Sequence, residues 1–438
     1  EMQRSLVGSE MCIRDRYRPR IADKMLSRRL MGVGAVLIQG PKWCGKTTTA
    51  EQQAKSVVYM DDPEYMDQNI ELASLSPKKL LVGATPRLID EWQLAPQLWD
   101  AARFEVDHRD EEGQFIFTGS AVPADTDKIH HSGTGRFAWL TMRTMSLYES
   151  GESTGEVSLN DLFIKPDVDI FGTNNLNIDS IAWLICRGGW PRATTINKDV
   201  ALDMAYRYYE AVVNNDVSRV DNVRRDAERT KRILRSIARN QCAQISVNTI
   251  CADIESNDTV SANRLTIASY LDALKKIFVL EDSLAWNPNL RSKTAIRSSE
   301  TRYFSDPSIG VAALGIGPND LINDLSTMGL FFESMCVRDL RVYADALEGT
   351  IYHYRDSKGL ECDAVLHLRN GSYGLIEIKL GGEKNIEEGA KNLKLLASKI
   401  DTTKMKAPSF LMILTGTTKY AIRREDGVYV IPIGCLKD

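Results

Sequence analysis

The stretch Gly40-Pro41-Lys42-Trp43-Cys44-Gly45-Lys46-Thr47 constrains this chain more than any other. It fits the pattern G-x-x-x-x-G-K-[ST] and sits between an apolar run, AVLIQ, and a helix-forming one, TTTAEQQA. Such a loop turns its backbone N–H groups onto phosphates at a helix N-terminus, with the lysine at phosphate and the hydroxyl at Mg2+. Residues 40–48, Thr48 included, are therefore the expected phosphate-binding segment. From Tyr17 to about Ser150, short apolar strands (AVLIQ, VVYM, RLID, FIFTG) alternate with helical stretches. That alternation predicts right-handed crossovers and a parallel sheet.

A tight strand-to-helix turn would use the same glycines, but a second motif argues against it. Leu88-Ile89-Asp90-Glu91 is a hydrophobic strand ending in two carboxylates. Asp90 is expected to hold Mg2+ and Glu91 to orient or deprotonate the attacking water, since phosphoryl transfer depends mainly on positioning and electrostatics. Phe115 to Ser120 (FIFTGS) reads as a buried strand ending in hydroxyls, where Thr118 or Ser120 could sense a γ-phosphate. Arg136, in HSGTGRF, could supply a cation to the transition state, in cis or from a neighbouring copy.

With 438 residues the chain has room for about three domains. Lys plus Arg number 55 and Asp plus Glu 59, a net charge of -4 that excludes a uniformly basic coat but not a local basic patch. The eight cysteines contain no C-x-x-C pair, which predicts reduced thiols and a cytoplasmic protein. The longest apolar runs, such as Ala35 to Ile38 and Phe410 to Leu414, are of core-strand length, so no membrane span is expected. Residues 1–16 have neither an apolar signal core nor a usable period and read as a non-native leader. His130-His131 reads as loop, not as a metal pair.

GPKWCGKTTT, RLIDEWQLAPQLWD, FIFTGSA, GTGRFAWLTMRTMSLYE and GGWPRA together resemble the AAA-type ATP-binding proteins of bacteria and archaea that carry a C-terminal domain of unknown function. The resemblance spans residues 17–438. It implies an ATPase core using ATP and Mg2+, with Lys46 and Thr47 in the Walker A role, Asp90 and Glu91 in the Walker B role, and Thr118 or Ser120 as sensor. Trp43 and Cys44 depart from it, in loop positions more often held by small or basic residues.

Between Arg219 and Arg239 stand eight basic residues against three acids. Residues 245–254, a long helix opening at Ser261-Ala262-Asn263, and a strand from Phe278 to Trp286 follow. That is the order of a winged helix-turn-helix, whose third helix could enter a DNA major groove, with Asn263 and Arg264 at its start. A solvated lid helix, or a winged helix serving protein contacts, fits the same residues.

Near the C-terminus, Asp363 lies on or beside one strand and Glu377-Ile378-Lys379 on the next. Alternation puts Glu377 and Lys379 on one face, within reach of Asp363. Two carboxylates and a lysine can hold Mg2+ and activate water against a phosphodiester. The set resembles the restriction-endonuclease-like superfamily, which implies Asp363 and Glu377 as metal ligands, Lys379 as the catalytic lysine and Glu333 as the helical acid. A solvated amphipathic hairpin would carry the same residues.

The expected fold is α/β throughout. Residues 17–150 form a P-loop ATPase domain with a parallel sheet, 151–215 a linker and helical lid, 216–300 a winged-helix-like segment, and 301–438 a nuclease-like α/β domain. Expected partners are ATP and DNA or RNA, or else a protein regulated by nucleotide state, and a homo-oligomer is compatible with Arg136 acting in trans.

Overall fold

The computed structural model describes residues 17–120, 133–165, 167–221, 223–255, 263–288 and 299–438. The His130-His131 pair, Ser261 and Ala262 lie outside the described residues. The chain divides into two compact units. One is built from Gly45–Gly119 with the flanking stretches that end at Gln39 and run up to Thr141. The other is Met142–Asp438 together with Gly40–Cys44 and Ser120.

In the first unit, helix α1 (Ile21–Leu30) precedes β1 (Ala35–Gln39), α2 (Lys46–Glu51), β2 (Ser56–Tyr59), α3 (Met66–Leu75), β3 (Arg87–Asp90), α4 (Gln97–Arg109), β4 (Phe115–Gly119) and β5 (Phe137–Thr141). The strands form one parallel sheet in the order β2-β3-β4-β1-β5. AVLIQ and FIFTG are buried almost throughout, as strands covered on both faces must be. Under the sheet, Trp92, Trp99, Phe115, Phe117 and Phe137 make one aromatic cluster, with Trp99 stacked on Phe137 at 3.8 Å between centroids. The parallel sheet expected from the sequence is present, and its carboxyl ends carry Asp90 and Thr118.

In the second unit, the stretch expected as a linker holds two short strands, β6 (Val157–Ser158) and β7 (Gly172–Thr173). The first pairs with β14 (Leu436–Lys437) and the second with β12 (Tyr420–Arg423). Two residues per strand leave no period to read in a polar sequence, and pairing across more than 240 residues supplies the order. Helices α5 (Ile178–Arg187), α6 (Asp203–Ala211), α7 (Ala227–Arg239), α8 (Val247–Glu255), α9 (Arg264–Lys276), α10 (Pro307–Leu314) and α11 (Leu325–Ala346) follow. Residues 278–286, expected as a strand, make isolated bridges instead: Leu280 with Phe304, Ser283 with Thr301, and Ala285 with His353.

β8 (Gly349–Arg355), β9 (Glu361–Leu368) and β10 (Tyr373–Lys379) form an antiparallel meander. Helix α12 (Glu383–Lys399) then crosses over to β11 (Phe410–Thr415), which runs parallel to β10 and to β13 (Tyr429–Pro432). The mixed sheet has the order β7-β12-β13-β11-β10-β9-β8. A buried ion-pair network ties the helices together: Arg338 meets Asp306 and Asp339, and Asp306 also accepts from the Gly189 N–H at 2.8 Å and the Thr144 hydroxyl at 2.7 Å. Gly189 belongs to the GGWPRA motif, whose Trp190 is fully buried. Among the described residues no helix is long and apolar enough to cross a membrane.

Candidate functional site

Two glycines set the course of the phosphate loop. Gly40 has φ +154, and a Cβ there would stand 2.0 Å from the Met142 carbonyl oxygen. Gly45 takes φ +98, a left-handed conformation that only glycine adopts cheaply, and caps α2 so that Lys46 and Thr47 open its first turn.

Thr47 and Asp90 come together there. The Thr47 hydroxyl donates to Asp90 Oδ1 at 2.8 Å, and the Thr118 hydroxyl at the end of β4 donates to the same oxygen. Asp90 is 6% exposed. Burial pushes its carboxyl above the usual range, against the pull of the two hydroxyls and the Lys46 charge. Glu91 follows with a left-handed φ of 51, turned out of the strand line. Its carboxyl too is raised by burial, with Lys46 opposing, and it accepts from the Gln93 amide. A hydroxyl and a carboxylate side by side are the hard oxygen donors that Mg2+ takes, so these residues fit that ion.

The other expected loop residues have different surroundings. Gly40–Cys44 pack within the second unit. Lys42, expected on phosphate, directs its ammonium to Asp216 at 2.6 Å. Trp43 lies edge-on to Tyr208, 5.8 Å between centroids, and the Cys44 thiol donates to the Met142 carbonyl at 3.6 Å. Pro41 and Ser120 are buried, and Thr48 is half-buried on α2. Arg136, expected as a transition-state cation, is ion-paired with Asp107 of α4 at 2.7 Å. Gln93, Asp107 and Asp216 were not singled out by sequence reasoning. Gln93 stood two residues from a flagged carboxylate, whereas Asp216 lies 174 residues from its partner and left no signal.

In the second unit, Asp363 on β9 faces Glu377 and Lys379 on β10. The Lys379 ammonium stands 2.6 Å from Glu377 and 3.4 Å from Asp363, and Asp363 also accepts from the Ile378 N–H at 2.7 Å. Glu377 is 2% exposed. Burial, then the Asp363 charge, pushes its carboxyl up to about 8, against the attraction of Lys379. Burial would lower Lys379, but the two carboxylates outweigh it and hold the ammonium above its usual range.

Glu333 on α11 accepts from the Tyr303 hydroxyl at 2.8 Å, and burial followed by the Asp363 charge drives its carboxyl well up. A cavity of about 190 Å3 is lined by Glu333 and Asp363 together with Cys242, Gln244, Tyr303 and His353. Glu333, Asp363 and Glu377 were expected to share a metal. Among the described residues no three His, Cys, Asp or Glu side chains meet closely enough to hold one, and the Lys379 ammonium sits between two of the expected ligands.

Residues 33–151 match an AAA domain family, residues 178–320 a domain of unknown function, DUF8612, and residues 328–436 a second, DUF4143. Uncharacterized proteins of Mycobacterium bovis and Mycobacterium tuberculosis are each 23% identical over 378 residues, 85% of this chain and 76% of theirs. Similar solved structures include a Walker-type ATPase of Pyrococcus abyssi, 14% identical over 66% of this chain and 94% of its own, with a TM-score of 0.41. Another is the Aeropyrum pernix Orc1 protein in complex with DNA, 14% identical over 71% of this chain and 94% of its own, with a TM-score of 0.26. Residues 33–151 are thus similar to an AAA domain, and most of the remaining chain to two domains of unknown function.

Proposed function

We propose that this chain is a Mg2+-dependent ATPase whose nucleotide state governs the action of its C-terminal half on nucleic acid. The observation that carries the ATPase reading is the convergence of Thr47, Thr118 and Asp90 beside the capped start of α2. Backbone N–H groups of the loop and the Lys46 ammonium would receive the phosphates, and Thr47 and Asp90 would hold the metal. Bound there, Mg2+ would neutralise charge on the β- and γ-phosphates. Glu91, raised by burial and steadied by Gln93, would orient the attacking water and take its proton. Arg136 would act as a cation only after leaving Asp107. Mg2+-dependent phosphate release from ATP, compared between wild type and Lys46→Ala, tests this; equal rates would sink it.

Two features support action on nucleic acid. Asp363, Glu377 and Lys379 converge as a phosphodiester-cleaving site would require, beside a cavity that Glu333 also lines. In addition, α7, α8 and α9 followed by two antiparallel bridges, Leu280 with Phe304 and Ser283 with Thr301, have the order of a winged helix.

One observation favours a second reading, a regulatory switch acting on a protein partner with an inactive C-terminal domain. The Lys379 ammonium already satisfies both carboxylates without a metal. Incubating wild type and Glu377→Ala with DNA and RNA plus Mg2+ or Mn2+ separates the two. Cleavage lost in the variant supports the first reading; neither cleavage nor binding supports the second.

A further inference from the structure

The winged-helix order directs attention to α9 as the helix that meets DNA, but two of the three cations on α9 have carboxylate partners, one of them the buried Asp282. Its opening Asn263 accepts from the Leu265 N–H at 2.9 Å and so serves as the helix cap. Lys275 is held by Asp282 at 2.7 Å and Glu300 at 3.2 Å, and Lys276 by Asp272 at 2.8 Å. Arg264 is the one remaining cation of that helix.

Helix α7 is built differently. Thr230, Ile233, Leu234, Ile237 and Ala238 are buried at helical spacing and fix which face looks inward. The opposite face carries Lys231, Arg232, Arg235 and Arg239, all exposed. Two of these cations, Lys231 and Arg239, are in loose pairs. Lys231 meets Glu228 in a pair exposed on both sides, and Arg239, 70% exposed, stands 3.7 Å from Asp253. Surface pairs of this kind are worth at most about 1 kcal/mol and exchange readily for another anion. Among the described residues Arg235, at the centre of the stripe, has no carboxylate within ion-pair distance.

The spacing also suits a polyanion. Arg232, Arg235 and Arg239 stand at i, i+3 and i+7, a rise of about 10 Å along the axis. That matches about three steps of a duplex strand at ~3.4 Å each. The stripe bears no aromatic side chain on which an unstacked base could sit, so a duplex backbone fits it better than a single strand.

We propose that the outward face of α7, through Arg232, Arg235 and Arg239, is the surface that grips the phosphodiester backbone of duplex DNA, and that α9 is not. The proposal rests on the nucleic-acid reading above and names the contact surface for it. Phosphate contacts position a protein on the duplex without reading sequence, so the grip is expected to be sequence-independent.

The test is binding of the full-length chain to a fluorescent random-sequence DNA duplex across a potassium chloride series, with EDTA present. Wild type is expected to bind with log K falling linearly in log salt. Arg232→Gln/Arg235→Gln/Arg239→Gln should bind at least about ten-fold more weakly, with a slope smaller by about two to three, because each lost phosphate contact removes ~0.9. Lys275→Gln/Lys276→Gln should bind as wild type does. Circular dichroism checks the fold of each variant. Should the triple variant fail to fold, Arg235→Gln alone decides, with a slope expected to fall by about one. Wild-type affinity and slope in the α7 variant would overturn the proposal and leave the nucleic-acid reading standing. Absence of wild-type binding would overturn both. Tighter binding to duplex RNA or to anionic vesicles than to duplex DNA would overturn the choice of partner and with it the proposal.

Discussion

The Thr47 hydroxyl donates to the Asp90 carboxylate across 2.8 Å, although the two residues are 43 positions apart. The parallel sheet brings them together by ending β3 beside the start of α2. Asp90 is also buried and accepts from Thr118, so it sits where an anion is costly unless a cation shares it. Asp90→Asn keeps both hydroxyl partners and removes the charge. ATP hydrolysis should fall at least about 100-fold, since metal stabilisation of the transition state is worth several kcal/mol and each 1.36 kcal/mol is ten-fold. Stability should move the other way. A carboxyl whose folded pKa is raised by burial costs stability as pH rises through that value, so the amide should melt higher at pH 7. Phosphate release and a thermal melt on the same sample check both signs.

Glu91 and Gln93 offer a finer separation. Glu91→Gln should lower kcat by about 10²- to 10⁴-fold, the usual worth of a positioned general base, while ATP binding persists. Gln93 donates to Glu91 without being placed on the phosphates. Gln93→Ala should therefore lower kcat by a smaller factor and shift the limb of the pH–rate profile that reports the base. Losing the amide removes a donor that favours the carboxylate, so that limb should move to higher pH. An unchanged profile with reduced kcat would assign Gln93 a purely structural role.

What was readable in advance follows from how far apart in sequence the interacting groups lie. Gly45, Lys46 and Thr47 are consecutive, and a left-handed glycine before a helix leaves a local signature. AVLIQ and FIFTG were legible because strands buried on both faces are continuously apolar. The Lys42–Asp216 pair was illegible, because nothing near Lys42 distinguishes an ammonium aimed at phosphate from one aimed at a carboxylate 174 residues away. The capping role of Asn263 was not read from the sequence, for a different reason. One side chain can cap a helix or read a base, and an uncapped N–H costs about 1 kcal/mol in every state of the protein. Residues 278–286 were expected as a strand, yet they meet 301, 304 and 353 only in single bridges and build no ladder.

The network around Arg338 should dominate stability in the second unit. Arg338 is 2% exposed, and its two carboxylate partners, Asp306 and Asp339, are wholly buried. Substituting Met for Arg338 keeps most of the volume but leaves both carboxylates uncompensated. Breaking a buried pair from one side costs about 3–5 kcal/mol. Urea denaturation should show that loss as a lower midpoint with an unchanged slope. A loss under 1 kcal/mol would mean that the hydrogen bonds Asp306 receives from Gly189, Thr144 and Ser308 already satisfy it.

Acid stability should depend on Glu281. Burial alone would raise its carboxyl, but Arg143 and Arg341 overcome that and hold it down to about 2, from the ordinary 4.5. Arg143 bridges it to Asp345, with the Arg143 side chain 9% exposed. For a carboxyl depressed on folding, the stabilisation is fully present above the unfolded value and is lost as pH falls through the folded one. Thermal melts should therefore decline between about pH 4.5 and pH 2. Glu281→Gln should flatten that part of the curve while melting lower than wild type at pH 7, where Arg143 loses one of its two anions. Parallel melting curves for the two proteins across this window would show that the Arg143 bridge contributes nothing to the pH dependence of folding.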